Sequence, residues 1–233
     1  MFVNGIEESP IVRLLEVTRT YSHGDQAQPA LRGVDLTLQR GSLVGLKGRS
    51  GSGKTTLLNL IGGLDRPTSG EVYFDGNLLG ELDEDQLTLL RRGRMGFVFQ
   101  SFALLPTYSA YENVELVLRI AGKSRQEQIG RSKRCLQLVG LKRWKDHRPG
   151  EMSGGQQERL AIARALATQP DLILADEPTG ELDVATGRQI FALFRQIVEQ
   201  EGVTILIATH DSLIDEYADL IYILQDGKII NEV

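Results

Sequence analysis

Apolar residues in this chain fall into short runs and longer amphipathic stretches, and their spacing separates strands from helices. Runs rich in Ile, Val and Leu predict strands over 11–17 and, by alternation, over 31–38. A short apolar run over 42–47 feeds a glycine-rich turn. Helical spacing follows over 54–61 and stops at Gly62-Gly63. A strand over 71–74 leads into an Asp75-Gly76 turn, and F-V-F marks another over 96–99. The period then changes. Stretches 111–120, 126–139 and 154–167 carry apolar residues at i, i+3 and i+4, the mark of amphipathic helices. Strands return over 172–175 and 203–208, flanking a helix over 185–198. That βαβ unit predicts a parallel sheet. Runs 220–224 and 228–230 predict a closing hairpin around Asp226-Gly227. The expectation is one α/β domain over 11–230, interrupted by helices near 101–165, without repeats or Pro-rich linkers.

Composition narrows this picture. The chain has 233 residues, one large domain or one with an insertion at about 150 residues per domain. Its net charge of −5 and pI near 5.3 argue against non-specific nucleic-acid binding, which needs a broad basic surface. At 41% hydrophobic and 24% charged it is a globular chain, not a disordered one. A single cysteine, Cys135, rules out an internal disulfide, and His23, His147 and His210 are too scattered for a metal cluster. No run reaches the roughly 18 apolar residues of a membrane helix, and residues 1–10 lack the marks of a secretory signal. The expectation is a cytosolic protein.

Chemistry concentrates in two places. Residues 48–56 read G-R-S-G-S-G-K-T-T and sit between a predicted strand and a predicted helix, the setting a phosphate loop needs. Gly48, Gly51 and Gly53 are expected to turn the backbone with positive φ, so that the N–H groups of Arg49, Ser50, Ser52 and their neighbours face one concavity. The helix from Lys54 would aim its N-terminal dipole at the same point. Lys54 would reach the β- and γ-phosphates of a nucleotide, Thr55 would ligate Mg²⁺, and Thr56 closes the motif. The second place is L-I-L-A-D-E over 172–177. An apolar strand ending in an acid sets Asp176 near the metal, and Glu177 beside it is the candidate to polarise an attacking water. His210 ends the strand T-I-L-I-A-T, where polar residues reach a ligand crevice.

With these residues in view the chain resembles the ATP-binding cassette (ABC) ATPases. M-S-G-G-Q-Q-E-R-L over 152–160 resembles that family's signature, and the other family marks follow in order. They are Gln100 in F-V-F-Q-S-F, Asp183 in G-E-L-D, and His210 as the switch histidine. Tyr21 in R-T-Y-S resembles the aromatic that stacks on adenine, a role in which its hydroxyl would matter little. The resemblance covers roughly 11–230. It implies a P-loop NTPase core with a mixed, mainly parallel sheet, an N-terminal antiparallel β subdomain and an inserted helical subdomain. Finer matches, such as R-M-G-F-V-F-Q-S-F-A-L-L-P, resemble the macrolide-export, lipoprotein-release and cell-division branch. Glu181 and Glu158 depart from it, standing where Asn and often Gln are usual.

The resemblance implies ATP and Mg²⁺ as ligands, with Thr55, Gln100 and Asp176 at the metal and Glu177, His210 and Gln100 as catalytic residues. It further implies a head-to-tail homodimer. Ser153, Gly154, Gly155 and Gln156 of one subunit, with Asp183, would complete the nucleotide site of the other. Read from the residues alone, Ser153-Gly154-Gly155-Gln156 is equally a helix N-cap. The implied function is hydrolysis of ATP to drive a separate membrane permease from the cytoplasmic face, exporting a lipophilic molecule, lipoprotein, peptide or drug. The alternative is a signalling ATPase of the cell-division type that transports nothing. Nucleic acid is not an expected partner. Ten Lys and Arg between Arg119 and Arg148 face only Glu127 and Asp146 within that segment, so the helical insertion is expected to present a basic surface. One reading sets that surface against anionic headgroups.

Overall fold

The computed structural model describes residues 9–23 and 26–233; the opening segment read for a secretory signal lies outside them up to residue 8. Two sheets stand back to back. The first is antiparallel and holds β1 (Val12–His23), β2 (Gln26–Leu38), β4 (Ser69–Phe74) and β5 (Asn77–Leu78) in the order β2-β1-β4-β5. The second contains β3 (Leu43–Lys47), β6 (Met95–Val98), β7 (Leu172–Asp176), β8 (Thr204–Thr209), β9 (Leu220–Gln225) and β10 (Lys228–Glu232). Its order is β10-β9-β3-β8-β7-β6, parallel except for the β9–β10 hairpin.

The apolar runs are continuous in the parallel strands because both faces are buried. Leu172, Leu174, Leu206 and Ala208 point into a core shared with the antiparallel sheet and α1 (Lys54–Ile61). Ile173, Ala175, Ile205 and Ile207 point the other way, into a core shared with α3 (Ala110–Ile120), α4 (Arg125–Leu138), α5 (Gly154–Leu166) and α6 (Val184–Glu201). Both Asp-Gly turns form as expected, with left-handed Asp75 and Gly76, and Asp226 and Gly227; the first also closes a short hairpin onto β5 that was not expected.

Two expectations change. β1 and β2 run well past the apolar 11–17 and 31–38, because their polar outer halves pair with each other through Arg19↔Leu31 to His23↔Gln26. A helix that hydrophobic spacing does not reveal, α2 (Glu84–Arg94), precedes β6. Leu87 is its only buried residue. It is set instead by an Asp83–Gln86 capping box, acids in its first turn and Arg91, Arg92 and Arg94 in its last. Arg94 then pairs with Asp75 at 2.7 Å and Asp171 at 2.6 Å, joining the two sheets.

The basic surface expected of the helical segment is partly a set of internal ion pairs. Arg131 donates to the Leu166 and Ala167 carbonyls at the end of α5 and pairs with Glu201 of α6 at 2.9 Å. Arg134 pairs with the same Glu201, and Arg125 with Glu115. These acids lie outside residues 119–148, so counting charge within the segment overstated its free positive charge.

Arg131 therefore acts as a structural tie, its side chain 14% exposed against 12% for Glu201. Arg131→Ala leaves Glu201 without its closest cation and should cost on the order of 3 kcal/mol in chemical denaturation. Lys133→Ala, two residues on and exposed, should shift stability by no more than about 0.5 kcal/mol. Equal effects from the two variants would contradict this assignment.

Candidate functional site

The loops after β3, β7 and β8 open at one end of the parallel sheet. Register puts Leu46 and Asp176 both opposite Ala208, so Gly48, Glu177 and His210 emerge at the same level. Between this edge and the antiparallel sheet lies a cleft of about 350 Å³. Ser50, Gly51, Gly53, Lys54, Thr55 and Thr56 line it from the loop, with Asp176 and Glu177 opposite, Gln100 beside them and Tyr21 at the antiparallel sheet.

The loop's glycines divide by role. Gly51 and Gly53 take positive φ, 79° and 107°, as expected. Gly48 does not. It is glycine because a Cβ there would lie 2.4 Å from both the Leu224 carbonyl and the Ser52 hydroxyl. Arg49 contributes its carbonyl to Lys54 rather than a cleft-lining surface, and Ser52 is buried, its carbonyl accepting from Gly227 N–H at 3.1 Å.

Lys54 is 6% exposed. Its ammonium donates to the Gly48 carbonyl at 2.8 Å and the Arg49 carbonyl at 3.3 Å, and pairs with Glu177 Oε1 at 3.1 Å. Thr55 donates its hydroxyl to Asp176 Oδ2 at 2.7 Å. Asp176 Oδ1 is buried with no hydrogen-bond partner. Burial, and secondarily the neighbouring Glu177, lift the Asp176 carboxyl above its ordinary range, so a cation there would find an under-compensated anion.

Glu177 is left-handed, φ 48°, a conformation costly for a non-glycine residue. Its N–H donates to the Ala208 carbonyl at 2.8 Å, and its Oε2 lies 2.9 Å from His210 Nδ1 and 3.2 Å from the Thr209 hydroxyl. His210 thus touches the acid, not the phosphate loop.

Ser153, Gly154, Gly155, Gln156 and Asp183 do not line this cleft. Ser153 and Gln156 form a reciprocal capping box at the start of α5. Gly155 is also a packing requirement, since a Cβ would lie 2.6 Å from Thr186 Cγ2 of α6. Asp183 caps α6 by accepting from the Thr186 N–H at 3.0 Å and hydroxyl at 2.6 Å, which holds its carboxyl below the ordinary range.

Two features escaped sequence reasoning. Phe102 and Ala103, just after Gln100, are consecutive left-handed residues. Their carbonyls both accept from the Arg164 guanidinium on α5. An arginine inside the apolar run A-I-A-R-A-L was the available signal. The other is the burial of Glu158, which is 0% exposed with neither carboxyl oxygen hydrogen-bonded. Burial raises its pKa to about 8; Arg164 opposes that rise and Glu181 adds to it. The two departures from the family pattern are thus electrostatic neighbours.

A family model described as "ABC transporter" matches residues 31–180. The chain is 45% identical to an uncharacterized ABC transporter ATP-binding protein, MJ0796, of Methanocaldococcus jannaschii, over 95% of this chain and 96% of that one. It is 46% identical to the lipoprotein-releasing system ATP-binding protein LolD 1 of Rhodospirillum rubrum, over 94% and 97%. With the macrolide export ATP-binding/permease protein MacB of Syntrophobacter fumaroxidans it shares 46% identity over 94% of this chain, spanning 31% of that longer protein. Among solved structures, it superposes with a TM-score of 0.87 on the dimeric post-hydrolysis state of MJ0796 bound to ADP and Pi, covering 95% of this chain and 97% of that one.

Glu158 makes stability depend on pH. The unfolded chain ionises it near 4.5, whereas the folded chain keeps its proton to about 8. Between those values the folded state binds more protons, so this group's contribution to stability falls as pH rises through the window. Glu158→Gln removes the effect. The melting-temperature advantage of the Gln variant should widen from pH 5 to pH 8 and then level off. A difference constant across that range would show that Glu158 is ionised in the fold.

Proposed function

The chain belongs to the ABC transporter ATP-binding family, and from that premise we propose how its residues bind and hydrolyse ATP and how the cassette couples to a membrane partner. It is an ATPase; the roles below are our reading of its side chains. The observation that carries them is the convergence of Lys54 and His210 on Glu177, which lines the cleft.

The triphosphate lies on the N-terminus of α1, with Lys54 exchanging its loop carbonyls for phosphate oxygens. Tyr21 carries the adenine. Water attacks the γ-phosphorus as the bond to the β–γ bridging oxygen breaks, giving ADP and phosphate. Glu177 polarises that water, accepting its hydrogen bond, and His210 with Thr209 holds the carboxylate in place. Gln100 borders the same space.

Mg²⁺ fits the donor set. Among the described residues no cluster of three or more His, Cys, Asp or Glu could hold a metal alone, in keeping with an ion that binds through one or two carboxylates and substrate phosphates. Thr55, Asp176 and Gln100 would hold it, and the orphaned Asp176 Oδ1 offers a free ligand atom. Bound there, the ion would neutralise charge on the β- and γ-phosphates.

Ser153 to Gln156 and Asp183 lie away from the cleft yet present a helix N-terminus and a carboxylate. A second copy packed head to tail would bring them to this ATP. A membrane permease is the proposed partner, met from the cytoplasmic face. No helix among the described residues is long and apolar enough to cross a membrane. A groove of about 540 Å³ beside α3 is lined by Leu64, Phe99, Leu105, Val117 and Ile120. Leu64 and Ile120 are 49% and 56% exposed, which suits an apolar helix from outside. By kinship, the export of a lipoprotein or lipophilic molecule is the favoured cargo reading.

Glu177→Gln should keep ATP affinity while turnover falls about 10²- to 10⁴-fold. The slowed protein should elute as an ATP-dependent dimer in size-exclusion chromatography with Mg²⁺. Near wild-type turnover would overturn the assignment. Ile120→Glu should leave hydrolysis by the isolated cassette unchanged and abolish co-purification of the membrane partner. Retained co-purification would move the docking surface elsewhere.

A further inference from the structure

The base platform and the phosphate grip belong to different sheets; β2 meets the loop through Gly227, which accepts from the Arg32 N–H and donates to the Ser52 carbonyl, and on the side of the ring a carboxylate makes a second link. Tyr21 lies near the end of β1. From Arg19 onward β1 no longer pairs with β4, whose last partner is Thr18; it continues against β2, with a tie from the Thr20 N–H to the Thr68 hydroxyl at 3.0 Å. A two-stranded ribbon of this kind is marginal without another anchor. Asp65 supplies that anchor. Its Oδ2 accepts from the Tyr21 hydroxyl at 2.9 Å and from Arg19 Nε at 2.9 Å. Its Oδ1 meets Arg19 Nη2 at 2.8 Å and accepts from the Arg66 N–H at 2.8 Å. Arg19 and Tyr21 are two apart on one strand and share a face. The guanidinium accordingly sits 4.5 Å from the Tyr21 ring centroid and covers one side of it.

Asp65 is in turn fixed to α1. The N–H groups of Leu64 and Asp65 both donate to the Asn59 carbonyl, at 2.8 and 3.3 Å. The residue that holds the ring lies just beyond the helix that begins with Lys54 and Thr55 and is pinned to its last turn. Over its 8 residues α1 spans about 12 Å and is stiff on that scale. Ring and phosphate grip are thereby spaced by a helix as well as by the ribbon.

We propose that Asp65 is a positioning residue for the nucleotide base: through Arg19 and the Tyr21 hydroxyl it fixes the stacking ring at a set distance from the phosphate loop. This rests on Tyr21 as the base platform. It also gives the Tyr21 hydroxyl a task that stacking alone does not require.

The test separates base from phosphate. Steady-state ATP hydrolysis gives KM and kcat, and inhibition by inorganic tripolyphosphate reports the phosphate site without a base. Asp65→Ala should raise KM for ATP about fivefold, part of the worth of a base–aromatic stack. It should leave kcat and tripolyphosphate inhibition unchanged. Tyr21→Phe keeps the ring, loses the donor, and should move KM the same way by less. Because Asp65 acts through the ring, Asp65→Ala combined with Tyr21→Ala should be no worse than Tyr21→Ala alone. Additive losses, or tripolyphosphate binding that weakens in step with KM, would overturn the proposal. So would a wild-type KM in Asp65→Ala while Tyr21→Ala raises it; that result leaves the stacking reading intact. If Tyr21→Ala itself keeps a wild-type KM, stacking fails and this inference falls with it. Should Asp65→Ala not fold, Asp65→Asn makes the same test, since it weakens the hold on Arg19 while matching the native shape.

Discussion

Parallel pairing of β3, β8 and β7 is the constraint on which the site depends. Parallel strands end at one edge, and here the register sets Leu46, Ala208 and Asp176 level. Three loops from distant parts of the chain then open side by side. The phosphate loop, the Asp176-Glu177 pair and His210 need no long-range search to meet. Their strands are held by cores on both faces, including Leu206 on one side and Ile205 and Ile207 on the other. Burying both faces makes a one-residue slip costly, because it would exchange two packed sets of side chains.

The same edge carries strain. Glu177 is left-handed, and such a residue costs on the order of 1–3 kcal/mol unless its surroundings fix it. They do so here through the Ala208 carbonyl, Lys54, Thr209 and His210. Phe102 and Ala103 repeat the arrangement, with Arg164 of α5 as the holder. Both strained points therefore lie next to residues that face the cleft, and each is held by an element distant in sequence. A shift of α5 would be felt at the segment following Gln100.

Charge is placed with the same economy of position. The helical segment reads as basic along the chain, yet Arg125, Arg131 and Arg134 turn to acids outside it. Asp171 and Asp75 likewise bracket Arg94 across the two sheets. Glu158 is the exception, a carboxyl with neither oxygen hydrogen-bonded, kept in its neutral form by burial.

The sequence by itself determined the strands of the parallel sheet, because burial on two faces writes them as unbroken apolar runs. It also determined the phosphate loop and the 172–177 strand, whose residues are contiguous and whose spacing carries the chemistry. The amphipathic helices α3 to α6 were legible by their period. The polar α2 and the outer halves of β1 and β2 were not, since caps, end charges and pairing partners set them rather than hydrophobic spacing. Tertiary structure alone decided what non-contiguous residues do. It turned Gly48 from an expected left-handed residue into a packing requirement, made Arg131 a tie to Glu201, and gave the Tyr21 hydroxyl a partner in Asp65. The physical reason is common to these cases. A motif of adjacent residues fixes its own geometry through the local backbone, whereas a side chain's partner depends on which distant segment the fold brings within about 3 Å of it.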